Sequence, residues 1–212
     1  MAVHTPMSDG VHENVSGWGW PDETRSWNWA GREGKPLQVA VYSRCDTVRL
    51  ELNGKVIGEK PVSAATKLTT KFDVPYQPGE LRAIGLINGK AVASVSLRTA
   101  GEPKEIRLTA DRSAIHADRN DLSYVTVEVV DQNGIVVPTA AMPIHFTISG
   151  AGELAATGSS APNDDSSFHA PLRKTYQGRA LAILRPTGAA GKITLKAEAD
   201  GLKSATTNIQ TK

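Results

Sequence analysis

The chain has 212 residues, a formal charge of +2 and a single cysteine, Cys45. Its lysines and arginines are scattered, with no basic block or stripe of the kind a nucleic-acid binder carries. No apolar run approaches the roughly 20 residues of a membrane-spanning helix, and the opening MAVHTPMSDG has neither the basic nor the apolar region of a signal peptide. One cysteine cannot make an internal disulfide framework, so stability has to come from burying aliphatic and β-branched side chains.

Nineteen glycines and twelve prolines, with hardly any helical periodicity, point to strands joined by many turns. Residues 1–32 are polar and irregular yet hold all four tryptophans, Trp18, Trp20, Trp27 and Trp29. This segment reads as a Trp-rich strap or linker rather than a domain. Alternation then begins. Leu37, Val39 and Val41 share one face, and Val48, Leu50 and Leu52 share another. A period of two means one buried and one wet face, the mark of an antiparallel sheet. Asn53-Gly54 suits the positive backbone angles of a two-residue hairpin turn, and Asn88-Gly89 repeats the signal between 81–87 and 90–97. Leu68, Phe72 and Val74 form a further strand in one phase, ended by the turn Pro75–Gly79. Residues 33–100 therefore predict a small immunoglobulin-like sandwich.

A second one is predicted over 101–212. A linker around Thr99–Pro103 precedes Ile106, Leu108 and Ala110. Val125, Val127 and Val129 share a face, Asn133-Gly134 turns the chain, and Ile144, Phe146 and Ile148 follow. The runs 180–184, 193–199 and 205–209 complete about seven strands, again a sandwich. The fold class is all-β, two tandem immunoglobulin-like β-sandwiches. Residues 157–178 lack periodicity, and a polar loop of that length is functional, disordered or packed on a neighbouring domain; the last is the expectation.

Chemistry is scarce. Asp164-Asp165 is an adjacent acidic pair that glycoside hydrolysis could draw on, but neighbours in an extended segment point apart, and the pair reads as a solvated loop. Asp118, Asp121 and Asp131 lack the spacing of a calcium loop. His4, His12, His116, His145 and His169 offer no metal-ligand spacing, and His145 lies opposite Ile144 and Phe146 as a surface residue. No G-x-S-x-G elbow and no phosphate loop is present. The expectation is no catalytic residue, no metal and no cofactor. The tryptophans are candidates for carbohydrate or interdomain contact: Trp27 and Trp29, at alternate positions before a strand, suit a staple onto the first sandwich, whereas Trp18 and Trp20 suit either an exposed sugar platform or an interface.

The run WNWAGREGKPLQVAVYSRCDTVRLELNGKVIGEK resembles the C-terminal region of bacterial glycoside hydrolase family 2 enzymes of the β-galactosidase type. The carriers are Trp27, Trp29, Gly31, Glu33, Gly34, Val39, Val41, Tyr42 and Ser43, then Asp46, Leu50, Leu52, Asn53, Gly54, Lys55 and Gly58. The turn Val74, Pro75, Tyr76, Pro78, Gly79, Leu81 and Ala83 and the hairpin Asn88, Gly89 and Lys90 extend it. The second half, through LTADRSAIHADRNDLSYVTVEVVDQNGIVVPTA and RKTYQGRALAILRPTGAAGKITLKAEADGL, is similar to the immunoglobulin-like domain that follows in such enzymes, itself like the tandem domains of invasin-type adhesins.

The resemblance implies a parent with a sugar-binding jelly roll, an immunoglobulin-like domain and a (β/α)₈ barrel bearing two catalytic glutamates, none of them in this sequence. It implies that the chain is a non-catalytic C-terminal piece. Its partner would be the remainder of that polypeptide, the catalytic barrel and N-terminal domains, with a homodimer formed through the parent enzyme as a further expectation. An independent carbohydrate-binding module and an adhesin-like spacer are the alternatives; neither nucleic acid nor membrane insertion is expected. Relatives of this type are often exported to the periplasm or beyond, but the sequence itself assigns no compartment.

Overall fold

The computed structural model describes residues 1–7, 10–15 and 17–212. The described residues form strands and turns without a helix. They divide into two compact units, Met1–Thr99 and Ala100–Lys212, each an immunoglobulin-like sandwich of two sheets.

In the first unit the strands are β1 (Ala2–His4), β2 (Glu23–Thr24), β3 (Pro36–Tyr42), β4 (Thr47–Leu52), β5 (Lys55–Pro61), β6 (Thr69–Pro75), β7 (Glu80–Ile87) and β8 (Lys90–Arg98). One sheet runs β2-β1-β3-β6 and the other β5-β4-β7-β8, all antiparallel. Val39 and Phe72 from one sheet and Leu50 and Leu81 from the other belong to a single buried cluster. The inward residues Val48, Leu50 and Leu52 alternate with half-buried Thr47, Arg49 and Glu51. Both expected tight turns form: Asn53 and Gly54 have φ of 52° and 78°, Asn88 and Gly89 of 50° and 73°.

Asn53 also ties the turn between β6 and β7 to the first hairpin. Its Oδ1 accepts from the Glu80 N–H at 2.9 Å and its Nδ2 donates to the Pro78 carbonyl at 3.0 Å. Gly79 lies under that amide at φ 133°, where an added Cβ would sit 1.9 Å from Asn53 Oδ1, so no side chain fits.

The structure departs from the sequence reading in two places here. Residues 1–32 are not a strap outside the sandwich: β1 is an interior strand, pairing Val3 with Val39 of β3 and with Thr24 of β2, and Val3 and Trp27 are core residues. A three-residue strand carries too little alternation to register as a period. Leu68, expected in phase with Phe72, lies outside β6 with φ 56° and is exposed; Thr70 takes the buried position.

The second unit comprises β9 (Glu105–Ala110), β10 (Ala114–Ile115), β11 (Ser123–Val130), β12 (Pro143–Gly150), β13 (Gly152–Gly158), β14 (Leu172–Lys174), β15 (Arg179–Pro186), β16 (Gly191–Glu198) and β17 (Ala205–Thr211). Its sheets run β10-β17-β16-β12-β14 and β13-β15-β11-β9. Val125, Val127 and Leu184 meet Ile144, Phe146, Ile193 and Leu195 in one core. The chain changes sheets between β12 and β13 at Gly150, where φ is 89° and a Cβ would stand 2.0 Å from the Lys192 carbonyl. The expected aperiodic loop 157–178 contains β14, whose Arg173 pairs with Ile144 of β12, and a tight turn at Gln177-Gly178.

Trp27 is the largest fully buried side chain. Truncating it to alanine is expected to destabilise the first sandwich by about 3–5 kcal/mol, the range for losing a core tryptophan. Denaturant unfolding of Trp27→Ala checks this; a loss below about 1 kcal/mol would show that the ring is not a core element.

Candidate functional site

The N-terminal segment between β1 and β2 is a closed loop. At its neck the Thr5 N–H donates to the Asp22 carbonyl at 2.8 Å, and Thr5 Oγ1 donates to Asp22 Oδ1 at 3.0 Å. Glu13 clamps both arms, one oxygen accepting from the Asp22 N–H at 2.8 Å and the other lying 3.0 Å from His4 Nε2. Arg32 reaches the Met7 carbonyl at 3.0 Å from the far side. Beyond the neck the loop shows apolar groups to water: Val11 and Val15 are exposed, and Trp18 and Trp20 are 85% and 81% exposed. Ser8, Asp9 and Ser16 of this loop lie outside the described residues.

The other two tryptophans are placed differently. Trp27 is enclosed by its own unit, packing edge-on against Tyr76 with ring centroids 5.1 Å apart and donating its indole N–H to the Gln77 carbonyl at 2.9 Å. Its carbonyl accepts from Thr99 Oγ1 at 2.7 Å, and Thr99 Oγ1 accepts from the Gly79 N–H at 3.1 Å. Trp29 is half-buried; its backbone N–H donates to the Tyr76 hydroxyl at 3.2 Å and its indole N–H to the Ser26 carbonyl at 3.1 Å. Trp27 thus has no face for a ligand. The structure does not gather the four tryptophans into one surface: Trp18 and Trp20 share a loop, and the other pair anchors the route into β3.

The loop after β13 is built around a buried cation. Arg173 is 1% exposed, and its guanidinium donates to Asp164 Oδ2, Ser166 Oγ and the Ser167 carbonyl, each at 2.7 Å, and to Thr157 Oγ1 at 3.3 Å. Its Cζ lies 5.8 Å from the centre of the Phe168 ring. Hydrogen bonds from Ser166 and then Arg173 hold the Asp164 carboxyl far below the usual carboxylate range. Asp164 is therefore an anchor of this loop and not the freely solvated group the sequence suggested. Nothing in the sequence announces the pair. The partners are nine residues apart, and on β14 it is Arg173 that turns inward while Leu172 faces water.

The remaining candidates fix backbone. Asp131 is buried, which raises its carboxyl, but the N–H groups of Gly101, Ile135 and Asn133 outweigh burial and hold it below its ordinary value. Asp121 accepts from the His116 N–H at 2.8 Å and from Arg112 at 2.8 Å, and both hold its carboxyl down. Asp118 caps the turn to Asn120 and Asp121. No group of three or more His, Cys, Asp or Glu that could hold a metal ion occurs among the described residues. Cys45 is half-buried beside Gly85, and His145 is exposed on β12.

Two outcomes follow from these anchors. The Asp22 N–H and then His4 hold the Glu13 carboxyl below its ordinary range. A depressed folded value means that the clamp is at full strength above the unfolded value of about 4.3 and is lost as pH falls through the lower folded value. The Glu13 side-chain carboxyl carbon resonance should titrate with a midpoint below about 4.3; a midpoint at or above it would show that the clamp does not hold. Arg173→Met should open residues 159–171 to limited proteolysis that the parent chain resists, and an equally resistant variant would mean that the loop is held by something else.

Comparison with known proteins gives the setting. Residues 34–93 match DUF4982, a domain of unknown function, and residues 106–208 match glycoside hydrolase family 2 C-terminal domain 5. A β-galactosidase of Bacteroides ovatus is 36% identical over 184 residues, covering 86% of this chain and 21% of the relative. The crystal structure of a family 2 glycosyl hydrolase from Bacteroides cellulosilyticus superposes with a TM-score of 0.91 at 37% identity, over 100% of this chain and 28% of that one. A β-glycosidase from Bacteroides vulgatus gives 0.83 at 27% identity, over 88% and 24%. The chain thus spans between about a fifth and somewhat over a quarter of these three relatives. With each sandwich matching one of these domains, this chain matches the C-terminal accessory region of glycoside hydrolase family 2 enzymes.

Proposed function

We propose that the two sandwiches are the non-catalytic C-terminal domains of a β-galactosidase-type glycoside hydrolase, packing beside its catalytic barrel and stabilising or shaping it. The loop tip that carries Trp18 and Trp20 is the surface that meets the remainder of the polypeptide. The observation that carries this reading is the exposure of those two indoles, 85% and 81%, on a loop whose neck is clamped. A tryptophan side chain offers on the order of 200 Å² of mostly apolar surface. Leaving two of them in water forgoes several kcal/mol of burial at about 25 cal/mol per Å². Folding does not bring them in, so the gain is available to a partner. The length of the relatives supports a partner on the same chain, and the Bacteroides ovatus relative, a β-galactosidase, suggests its chemistry.

The test is to co-express the upstream remainder of the reading frame with the 212-residue chain, and with a Trp18→Ser/Trp20→Ser double variant. The parent chain should co-purify with the remainder and shift its tryptophan emission to the blue. The double variant should lose association by roughly tenfold or more while unfolding at the parent temperature. Association unchanged by the double substitution would overturn the docking role. Quenching of the isolated chain by galactosides, absent in the double variant, would favour the alternative of an independent sugar platform.

A further inference from the structure

A second surface, in the other sandwich and independent of the tryptophan loop, has the make-up of a ligand site. The outward face of the sheet β13-β15-β11-β9 holds a groove of about 350 Å³ lined by Thr126, Gly158, Ser159, Ser160, Arg179 and Leu181. That volume lies at the lower end of the range for small-molecule sites. Register explains the convergence. Thr126 pairs with Leu181 and Glu128 with Arg179, and Gly158 pairs with Leu181 from the other side. Side chains paired across antiparallel strands stand on the same face. The floor is open because Gly158 has no side chain, and a Cβ built there meets nothing within 4 Å.

Three properties identify what would fit. The first is charge. Glu128 is the one carboxylate between two guanidinium groups, with Oε2 2.7 Å from Arg107 and Oε1 3.2 Å from Arg179, so the cluster carries one positive charge in excess at the lip of the groove. The second is a set of hydroxyls. Thr126 and Ser160 are exposed, while Ser159 donates to Asp164 Oδ2 at 3.3 Å and is thereby held by the buried Arg173 pair. The wall is fixed before any ligand arrives. The third is aromatic. Tyr124 is two residues from Thr126 on the same strand face, and Tyr176 is the cross-strand partner of Arg179; both are exposed. A cation that can grip a carboxylate with two parallel N–H donors, hydroxyls that give and accept hydrogen bonds, and flanking rings for C–H faces describe an acidic sugar. We infer that this groove binds a carboxylate-bearing sugar unit of a polysaccharide, its carboxylate on Arg179 and its hydroxyls on Thr126, Ser159 and Ser160.

The test is a two-dimensional NMR titration of the 212-residue chain with trigalacturonate, neutral galactotriose, acetate and inorganic sulfate. Trigalacturonate should give saturable shifts centred on the amides of Thr126, Ser159, Ser160 and Arg179. Galactotriose should bind roughly tenfold or more weakly, the loss of one charge-assisted pair. Arg179→Gln should weaken trigalacturonate to a similar degree. Gly158→Val, which fills the floor without changing a charge, should weaken it too while the fold's spectrum is retained. The inference is overturned if millimolar trigalacturonate gives no saturable shift, if galactotriose binds as well, if neither substitution matters, or if acetate or sulfate alone matches the trisaccharide. Because the tryptophan loop belongs to the other unit, any of these outcomes leaves the docking reading standing on its own test.

Discussion

With no disulfide available, both sandwiches are held together by alternate side chains buried between paired sheets. That constraint sorts the chain. A residue in the inward phase is committed to a core, as Val39, Leu50, Val127 and Leu195 are, and function is left to outward faces, edges and loops. It also accounts for the division among the tryptophans. Trp27 enters the core of the first sandwich and finds a carbonyl for its N–H, whereas Trp18 and Trp20 lie on the far side of a clamped neck where no strand can cover them. Exposed aromatic area on an otherwise well-satisfied domain is the physical basis for assigning that loop to an interface.

Acidic residues in this molecule serve mainly as acceptors for backbone and arginine donors. Asp131 gathers three backbone N–H groups around a turn, Asp121 binds an N–H and a guanidinium, and Asp164 pairs with the buried Arg173. Each arrangement favours the ionised form and holds the carboxyl down. A general acid in glycoside hydrolysis needs the opposite, a carboxyl raised so that it keeps its proton near neutral pH. Tyr42 shows the other direction outside any acidic site: burial and then the Glu23 carboxylate push its hydroxyl up to about 12.

The larger part of the fold was legible because period-two alternation and Asn-Gly turns are local signals; the hairpins at Asn53-Gly54 and Asn88-Gly89 and the β11 and β12 faces follow directly from them. What escaped was non-local. The β1 strand is too short to show a period, yet Val3 is held by its pairing with Val39 some 36 positions away. Arg173 is buried against the ordinary polarity rule because three acceptors from the preceding loop and Thr157 of β13 surround it, and only the folded chain brings them together. The outward groove was hidden for the same reason, since Thr126, Gly158 and Arg179 meet through register and not through spacing in sequence.

The chain spans 21% and 28% of two of its relatives, and the proposed accessory role puts the family's chemistry in the parts it does not span. The most direct measurement of the central claim is turnover of a chromogenic β-galactoside by the purified 212-residue chain. No turnover above the buffer rate is expected. Hydrolysis by this chain that disappears when one of its own aspartates or glutamates is neutralised would contradict it.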